Sequence, residues 1–205
     1  TQCDIDVFGK NVSLISIMQL LPDKVKNSMD RYKSYGNIDL NASVKGLAGK
    51  TKAPDVNASF KITNGMVVEK KNNISLHNID LEGNYTNSNK VGVDELNIKK
   101  MLARFKDGRF DLNGKLTDFV KPHFIFNVKG DFGLATLHDF MGKGTIKEMK
   151  GDVSLNSKLD FVLLRTDDLL LTNTLINEAS GTVKFSNATV LINENGKPIT
   201  DLNGQ

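Results

Sequence analysis

Acidic side chains recur at alternate positions in this sequence, and pairs of carboxylates could perform acid–base chemistry or bind calcium. The candidates are Asp4, Asp6, Asp39, Asp80 and Asp111. Each of them has an apolar residue on both sides, and this period of two is typical of the polar face of a strand. We therefore expect these carboxylates to be solvent-facing charges on a half-exposed sheet, not a catalytic pair.

The other side chains that could carry chemistry are few and widely separated. His77, His123 and His138 lie far apart, and none has the spacing that places two metal ligands on one helix face. Cys3 is the single cysteine, so no disulfide can form within the chain. Residues 142–145 read Gly-Lys-Gly-Thr but lack the upstream glycine of a phosphate-binding loop. The sequence therefore predicts a protein that is not an enzyme, with no catalytic residue, no metal site and no cofactor.

The composition is that of an ordinary globular protein, with 39% hydrophobic and 25% charged residues in a chain of 205. A net charge of +3 is too small to create the concentrated positive field that binds nucleic acid. No stretch approaches the roughly 20 apolar residues of a membrane-spanning helix. We expect no nucleic-acid partner, and a soluble segment that belongs to a longer chain.

Alternation of apolar and polar residues is the dominant pattern and predicts strands with one wet face. It is clearest from Ile38 to Val44, between Gly36 and Gly46. It recurs at residues 56–62, 74–81, 96–98, 110–112, 124–128, 153–155, 159–161, 183–185 and 190–192. A slip of one residue at Asn78 predicts a β-bulge. We count ten or more strands.

Turn-forming residues separate these strands. Asn64-Gly65, residues 71–73, Asp107-Gly108 and Asn195-Gly196 carry Gly or Asn, which adopt positive φ at little cost. The alternation also argues against a parallel sheet buried on both faces. The predicted fold class is therefore mainly β: a long, twisted, curved antiparallel sheet, either groove-like or a sandwich, built from repeated hairpin modules.

Helix is the minority structure, and one or two short helices are expected to cap the sheet. Apolar residues recur at steps of three and four from Ser13 to about Tyr32, and Pro22 inside this stretch is expected to kink the helix or to start a second one. A second short helix is predicted from Leu134 to Met141.

A loose repeat consists of Gly, any residue, apolar, polar, apolar and then Asn or Ser. Its copies begin at Gly36, Gly108, Gly151 and Gly181, at unequal intervals of 72, 43 and 30 residues. Unequal intervals exclude a solenoid of fixed period. We predict one β-rich segment over 1–205 with two loose modules, about 1–105 and 106–205.

Several segments in a fixed order carry a resemblance to a known family. They are Leu21-Pro22, residues 35–38, 54–60, 64–65, 79–85, 134–141, 151–153, 181–187 and 198–204. Together they resemble the bacterial AsmA-type proteins, and the likeness covers most of the chain. That family resembles TamB and the eukaryotic bridge-like lipid transfer proteins, whose twisted sheets curl into a groove with an apolar concave face.

The resemblance implies a non-catalytic, periplasmic β-groove segment with a role in phospholipid transport or in outer-membrane assembly and maintenance. It also implies a whole protein that is anchored in the inner membrane of a Gram-negative bacterium by an N-terminal helix, which this segment lacks. The implied partners are phospholipids or their acyl chains. The segment itself is expected to meet the membrane only through that anchor.

An alternating sheet must hide its apolar face against a second sheet, a helix or a lipid chain. The residues expected to line a lipid groove are Ile38, Leu40, Val44, Val56, Ala58, Phe60, Ile62, Phe124, Phe126 and Val128. Because each buried methylene contributes about 0.8 kcal/mol, such a face could bind acyl chains without a specific motif. The alternative is an adhesive or scaffolding β-sandwich with a closed core that binds protein partners. Free strand edges would also allow edge-to-edge self-association.

Overall fold

The structure, a computed structural model, describes residues 2–19, 30–49, 54–87, 94–119, 121–141, 146–163, 174–192 and 199–204. These residues form ten strands and two short helices. In chain order they are β1 (Gln2–Ser13), α1 (Leu14–Gln19), β2 (Tyr32–Leu47), β3 (Asp55–Glu69), β4 (Ile74–Asn87), β5 (Glu95–Phe105), β6 (Gly108–Thr117), β7 (His123–Gly133), α2 (Leu134–Met141), β8 (Ile146–Leu163), β9 (Thr174–Ile192) and β10 (Ile199–Gly204).

All ten strands belong to one sheet, in which they follow one another in chain order. Every neighbouring pair is antiparallel. The predicted fold class, mainly β with an antiparallel sheet and short helices, is confirmed. Since the described strands form a single open sheet, they are consistent with the curved, groove-like form of that fold and not with a sandwich of two sheets. The division into two modules at about residue 105 stays a prediction.

Two strands are longer than the alternation predicted. The patterns at 153–155 and 159–161 are parts of one strand, β8, and those at 183–185 and 190–192 are parts of β9. In β8 the polar Ser157 takes an apolar-face position between Leu155 and Leu159, so it breaks the hydrophobic pattern without breaking the strand. In β9 Asn187 adopts positive φ, and the strand continues past it.

Asparagine marks the irregular points of the strands. Asn78 has φ of 51° where the β4–β5 register shifts, which confirms the predicted bulge. The predicted turn at Asn64-Gly65 is wrong: Asn64 also has positive φ, but it lies within β3 at a second register shift. Turns and bulges both need a residue that tolerates the left-handed region, so the residue type alone does not distinguish them. The turns at 71–73 and 107–108 are confirmed, while Asn195-Gly196 lies outside the described residues.

The first predicted helix is too long. Helix α1 covers Leu14–Gln19, residues 20–29 lie outside the described part of the chain, and strand β2 already begins at Tyr32. Tyr32 and Lys33 pair with Glu69 and Val68, so strand pairing replaces the helix there. The second helix has the predicted bounds, Leu134–Met141.

The hydrophobic core lies under α2, at one end of the sheet. Its buried members are Leu76, Ile79, Ala103, Phe105, Phe132, Leu134, Val153 and Ala188. Leu137 and Phe140 of α2 pack against this cluster. Helices α1 and α2 follow β1 and β7, which run in the same direction, so both helices lie at the same end. We call this the covered end and the opposite one the open end.

Candidate apolar binding face

One face of the sheet is mostly apolar from β1 to β9. Residues that pair across antiparallel strands point to the same side, so the register defines rows that cross the sheet. A central row consists of Gly9, Leu40, Phe60, Gly83, Ile98, Gly114, Phe126, Leu159 and Ala179. The row toward the open end consists of Val7, Ala42, Ala58, Tyr85, Leu96, Leu116, Phe124 and Phe161. The row toward the covered end consists of Val12, Ile38, Ile62, Leu81, Met101, Leu112, Val128 and Ser157.

The structure brings all ten residues predicted to line a groove onto this apolar face. Eight of them lie in the three rows above, and Val44 pairs with Val56 in a further row nearer the open end. Of the ten, Ile38 is buried and the others are half-buried. Since a fully covered core would bury most of them, the apolar face is open over much of its area outside the covered end.

Two phenylalanine rings lie over glycines of the neighbouring strand. A Cβ atom at Gly83 would lie 2.7 Å from Cζ of Phe60, and a Cβ atom at Gly114 would lie 2.6 Å from Cδ1 of Phe126. The same Cβ atoms would lie still closer to the backbone oxygens of Asn97 and Ile125, so the neighbouring backbone as well as the ring requires glycine at these positions. The same arrangement occurs in both halves of the sheet and covers otherwise exposed backbone.

Further aromatic rings lie toward the open end. Phe124 stacks on Phe161 with centroids 4.8 Å apart and also contacts Phe126 at 5.7 Å. Tyr85 stacks on Phe119 at 5.9 Å and donates a hydrogen bond of 3.2 Å to Asp94. Burial, with the adjacent Asp94 charge, raises the pKa of Tyr85. These rings give the open end a large apolar surface with one polar group at its margin.

The opposite face carries the charges. Exposed ion pairs join neighbouring strands: Lys45 to Asp4 at 3.6 Å, Lys99 to Glu82 at 3.4 Å, Lys115 to Glu95 at 3.7 Å and Lys158 to Glu178 at 2.8 Å. Pairs of this kind contribute at most about 1 kcal/mol each. This second side of the sheet is its polar face.

The carboxylates that could have carried chemistry lie on the polar face, and two of them support bulges. Asp39 accepts a hydrogen bond from the backbone N–H of Asn11 at 2.7 Å, and Asp80 accepts one from the N–H of Asn64 at 2.9 Å. Both asparagines have positive φ. Among the described residues, no group of three His, Cys, Asp or Glu side chains could hold a metal ion.

A hydrogen-bonded trio on β7, β8 and β9 is one feature that the sequence did not predict. His123 Nε2 lies 2.7 Å from Asp160 Oδ1, which also accepts a hydrogen bond of 2.7 Å from Asn177. These bonds, that of His123 first, lower the pKa of Asp160. The three residues are 37 and 17 positions apart, so only the strand register brings them together.

The contacts at the covered end are the second feature that sequence analysis missed. Glu69 is fully buried and accepts hydrogen bonds from Arg31 Nε at 3.0 Å and from the N–H groups of Lys71 and Asn72 at 3.1 and 2.6 Å. Burial raises the pKa of Glu69, but the hydrogen bonds and the Arg31 charge outweigh it, so the pKa is lowered.

The same arginine binds the last turn of α2. Arg31 Nη1 and Nη2 donate to the carbonyls of Met141 and Asp139 at 2.9 and 3.0 Å, and the Tyr32 hydroxyl donates to the carbonyl of Phe140 at 3.1 Å. The last carbonyls of a helix have no partner within it, and a cation there also matches the helix dipole. The C-terminal turn of α2 is thereby attached to the start of β2.

In the part of the chain that the structure describes, no helix is long and apolar enough to cross a membrane. Comparison with protein-family models, curated proteins and solved structures gave no match. The resemblance to AsmA-type proteins therefore stays a prediction.

Proposed function

We propose that this chain is a non-catalytic lipid-binding segment whose apolar face takes up the acyl chains of phospholipids. The observation that supports this most is the continuous apolar face, which the two short helices leave open outside the covered end. Large exposed apolar surfaces are uncommon on proteins without an apolar ligand or partner.

The energy of acyl-chain binding favours such a surface. At about 0.8 kcal/mol per methylene, six buried methylenes supply about 5 kcal/mol. That gain must offset the entropy lost when the lipid is immobilised, so contact with a longer stretch of chain is needed for stable binding. Rows of apolar side chains that cross many strands offer that length.

A non-catalytic role agrees with the positions of the reactive side chains. Asp39 and Asp80 hold bulges, and His123, Asp160 and Asn177 join three strands. None of these groups lies with the apolar rows, where a bound acyl chain would run.

The cellular part of the proposal rests on the resemblance to the AsmA-type proteins. We place the segment in the periplasm of a Gram-negative bacterium, in a protein anchored to the inner membrane. Its role there is phospholipid transport or assembly and maintenance of the outer membrane. The alternative, a scaffold that binds protein partners, would leave the apolar face covered by protein.

Native mass spectrometry of the chain purified from bacterial cells tests the proposal. We expect the protein to carry phospholipid or fatty acid, and the lipid-free protein to take it up again from detergent. A chain that is lipid-free as purified and takes up no added lipid would refute the proposal and favour the scaffold.

A further inference from the structure

The outer edge of β1 is a free strand edge, separate from the apolar face. Within the described residues, β1 pairs with β2 on one side and with nothing on the other. Backbone N–H and C=O groups on that free side point away from the sheet and can pair with another strand. The strand contains no proline, which would block such pairing, and its register is regular from Gln2 to Gly9, before the bulge at Asn11.

Phe8 stands out on this edge. It pairs with Asn41 and therefore lies on the polar face, where its side chain is 76% exposed. It takes part in none of the ring contacts found among the described residues. A single exposed phenylalanine is common on protein surfaces, so the case for this edge rests on Phe8 together with the charges beside it.

Two charges flank Phe8, at positions 6 and 10. Asp4 is paired with Lys45, but Asp6 and Lys10 form no ion pair with another described residue. Lys10 follows Gly9, which lies on the apolar face, so alternation along the strand puts Lys10 on the polar face with Phe8. The free edge thus presents an acid, an aromatic ring and a base in sequence.

We propose that two copies of this chain associate by antiparallel pairing of their β1 strands, about a two-fold axis that passes between Phe8 and Phe8 of the partner subunit. In this register Asp6 faces Lys10 of the partner subunit, and the symmetry forms that ion pair twice. The second strand runs in the opposite direction, so each acid meets a base and the two phenylalanine rings meet each other. Asp6, Phe8 and Lys10 form no ion pair or ring contact among the described residues of one chain. In this dimer each of them has a partner.

Symmetry restricts the pairing further. An axis perpendicular to the sheet keeps both apolar faces on the same side and lets one ten-stranded sheet continue into the next. A shift that centres the axis on Val7 would place Asp6 opposite Phe8 and would bring Lys10 to Asp4, which already has Lys45. The register centred on Phe8 is the one that satisfies both unpaired charges.

The association of the purified 205-residue chain can be measured by sedimentation velocity over a range of concentrations. Because one strand pair is a small interface, we expect a reversible equilibrium between monomer and dimer. Asp6→Lys should weaken the dimer at least roughly tenfold, since it replaces two attractive pairs with two repulsive ones. The double variant Asp6→Lys/Lys10→Asp should restore the dimer, and Asp111→Lys, an equal charge change far from the edge, should leave it unchanged.

Cysteine cross-linking tests the register independently. In a Cys3→Ser background, Phe8→Cys should form an intersubunit disulfide under mild oxidation, because its own copy lies opposite within bridging distance. Val7→Cys, which would face Gly9 of the partner subunit, should cross-link far more slowly. A chain that stays monomeric, a dimer insensitive to the charge exchange, or preferential cross-linking through Val7→Cys would each overturn the proposal. Circular dichroism of each variant confirms that loss of the dimer is not loss of the fold.

Discussion

At the residue scale, Glu69 joins three segments of the chain through one buried carboxylate. Its oxygens accept hydrogen bonds from Arg31 and from the backbone of Lys71 and Asn72. Arg31 in turn binds the last turn of α2. Loss of the Glu69 charge should therefore loosen both the β3–β4 turn and the attachment of the helix.

We predict that Glu69→Gln lowers the melting temperature by roughly 5 °C or more at neutral pH, because at least one buried donor loses its acceptor. The pKa of Glu69 is lowered from its ordinary value of 4.5. The stability that the charged carboxylate contributes is therefore present above pH 4.5 and is lost as the pH falls through the lowered pKa. The difference between the parent and variant melting temperatures should accordingly shrink in acid.

Glu82→Gln is the matched control, because Glu82 is half exposed and, among the described residues, forms one ion pair, with Lys99 at 3.4 Å. Its melting temperature should change by no more than about 2 °C. Equal effects of the two substitutions would contradict the role assigned to Glu69.

Single-residue features were only partly predictable from the sequence. Period two placed Asp39 and Asp80 on the polar face, but not beside Asn11 and Asn64. The Arg31–Glu69 contact joins residues 38 positions apart. It depends on where β2 begins, and the sequence predicted a helix, not a strand, up to about Tyr32.

At the element scale, the sheet has a covered end and an open end that should respond differently to the same substitution. Phe132 lies in β7 within the core under α2. Phe126 lies six residues earlier in the same strand, on the open part of the apolar face. Both are phenylalanines on one face of one strand, so they form a matched pair.

We predict that Phe132→Asp abolishes cooperative unfolding, because an unpaired carboxylate in the core costs several kcal/mol, comparable to the whole stability of a domain. Phe126→Asp should keep a cooperative transition with a lower melting temperature, since it loses its contacts with Gly114 and Phe124 while the new carboxylate stays near solvent. Thermal unfolding followed by far-ultraviolet circular dichroism measures both. If Phe126→Asp also fails to fold, the open part of the face is a packed core after all.

The sequence predicted which strands and helices exist more reliably than where each of them ends. Alternation predicted the strands from β1, at residues 3–7, to β9, and the bounds of α2 were correct. The sequence predicted two short strands in place of β8, because Ser157 is a polar residue at an apolar-face position. It did the same for β9, because Asn187, which has positive φ, is a residue type that often ends a strand.

At the scale of the whole molecule, the register decides what the apolar residues do. The sequence predicted which side chains would share a face, and all ten candidates for the groove do share one. Whether a second sheet would cover that face could not be predicted, since alternation is identical in a sandwich and in an open sheet.

A pair of adjacent substitutions tests whether the apolar face binds acyl chains. Phe60 lies on the apolar face of β3, and Ser59 lies beside it on the polar face. Each is replaced by aspartate, and equilibrium binding of a fluorescent phospholipid is measured on the folded proteins. We predict that Phe60→Asp weakens binding at least roughly tenfold, because it places a charge where methylenes are buried, and that Ser59→Asp changes it by less than about threefold. Equal binding by both variants, or no binding by the parent chain, would show that the apolar face does not bind acyl chains.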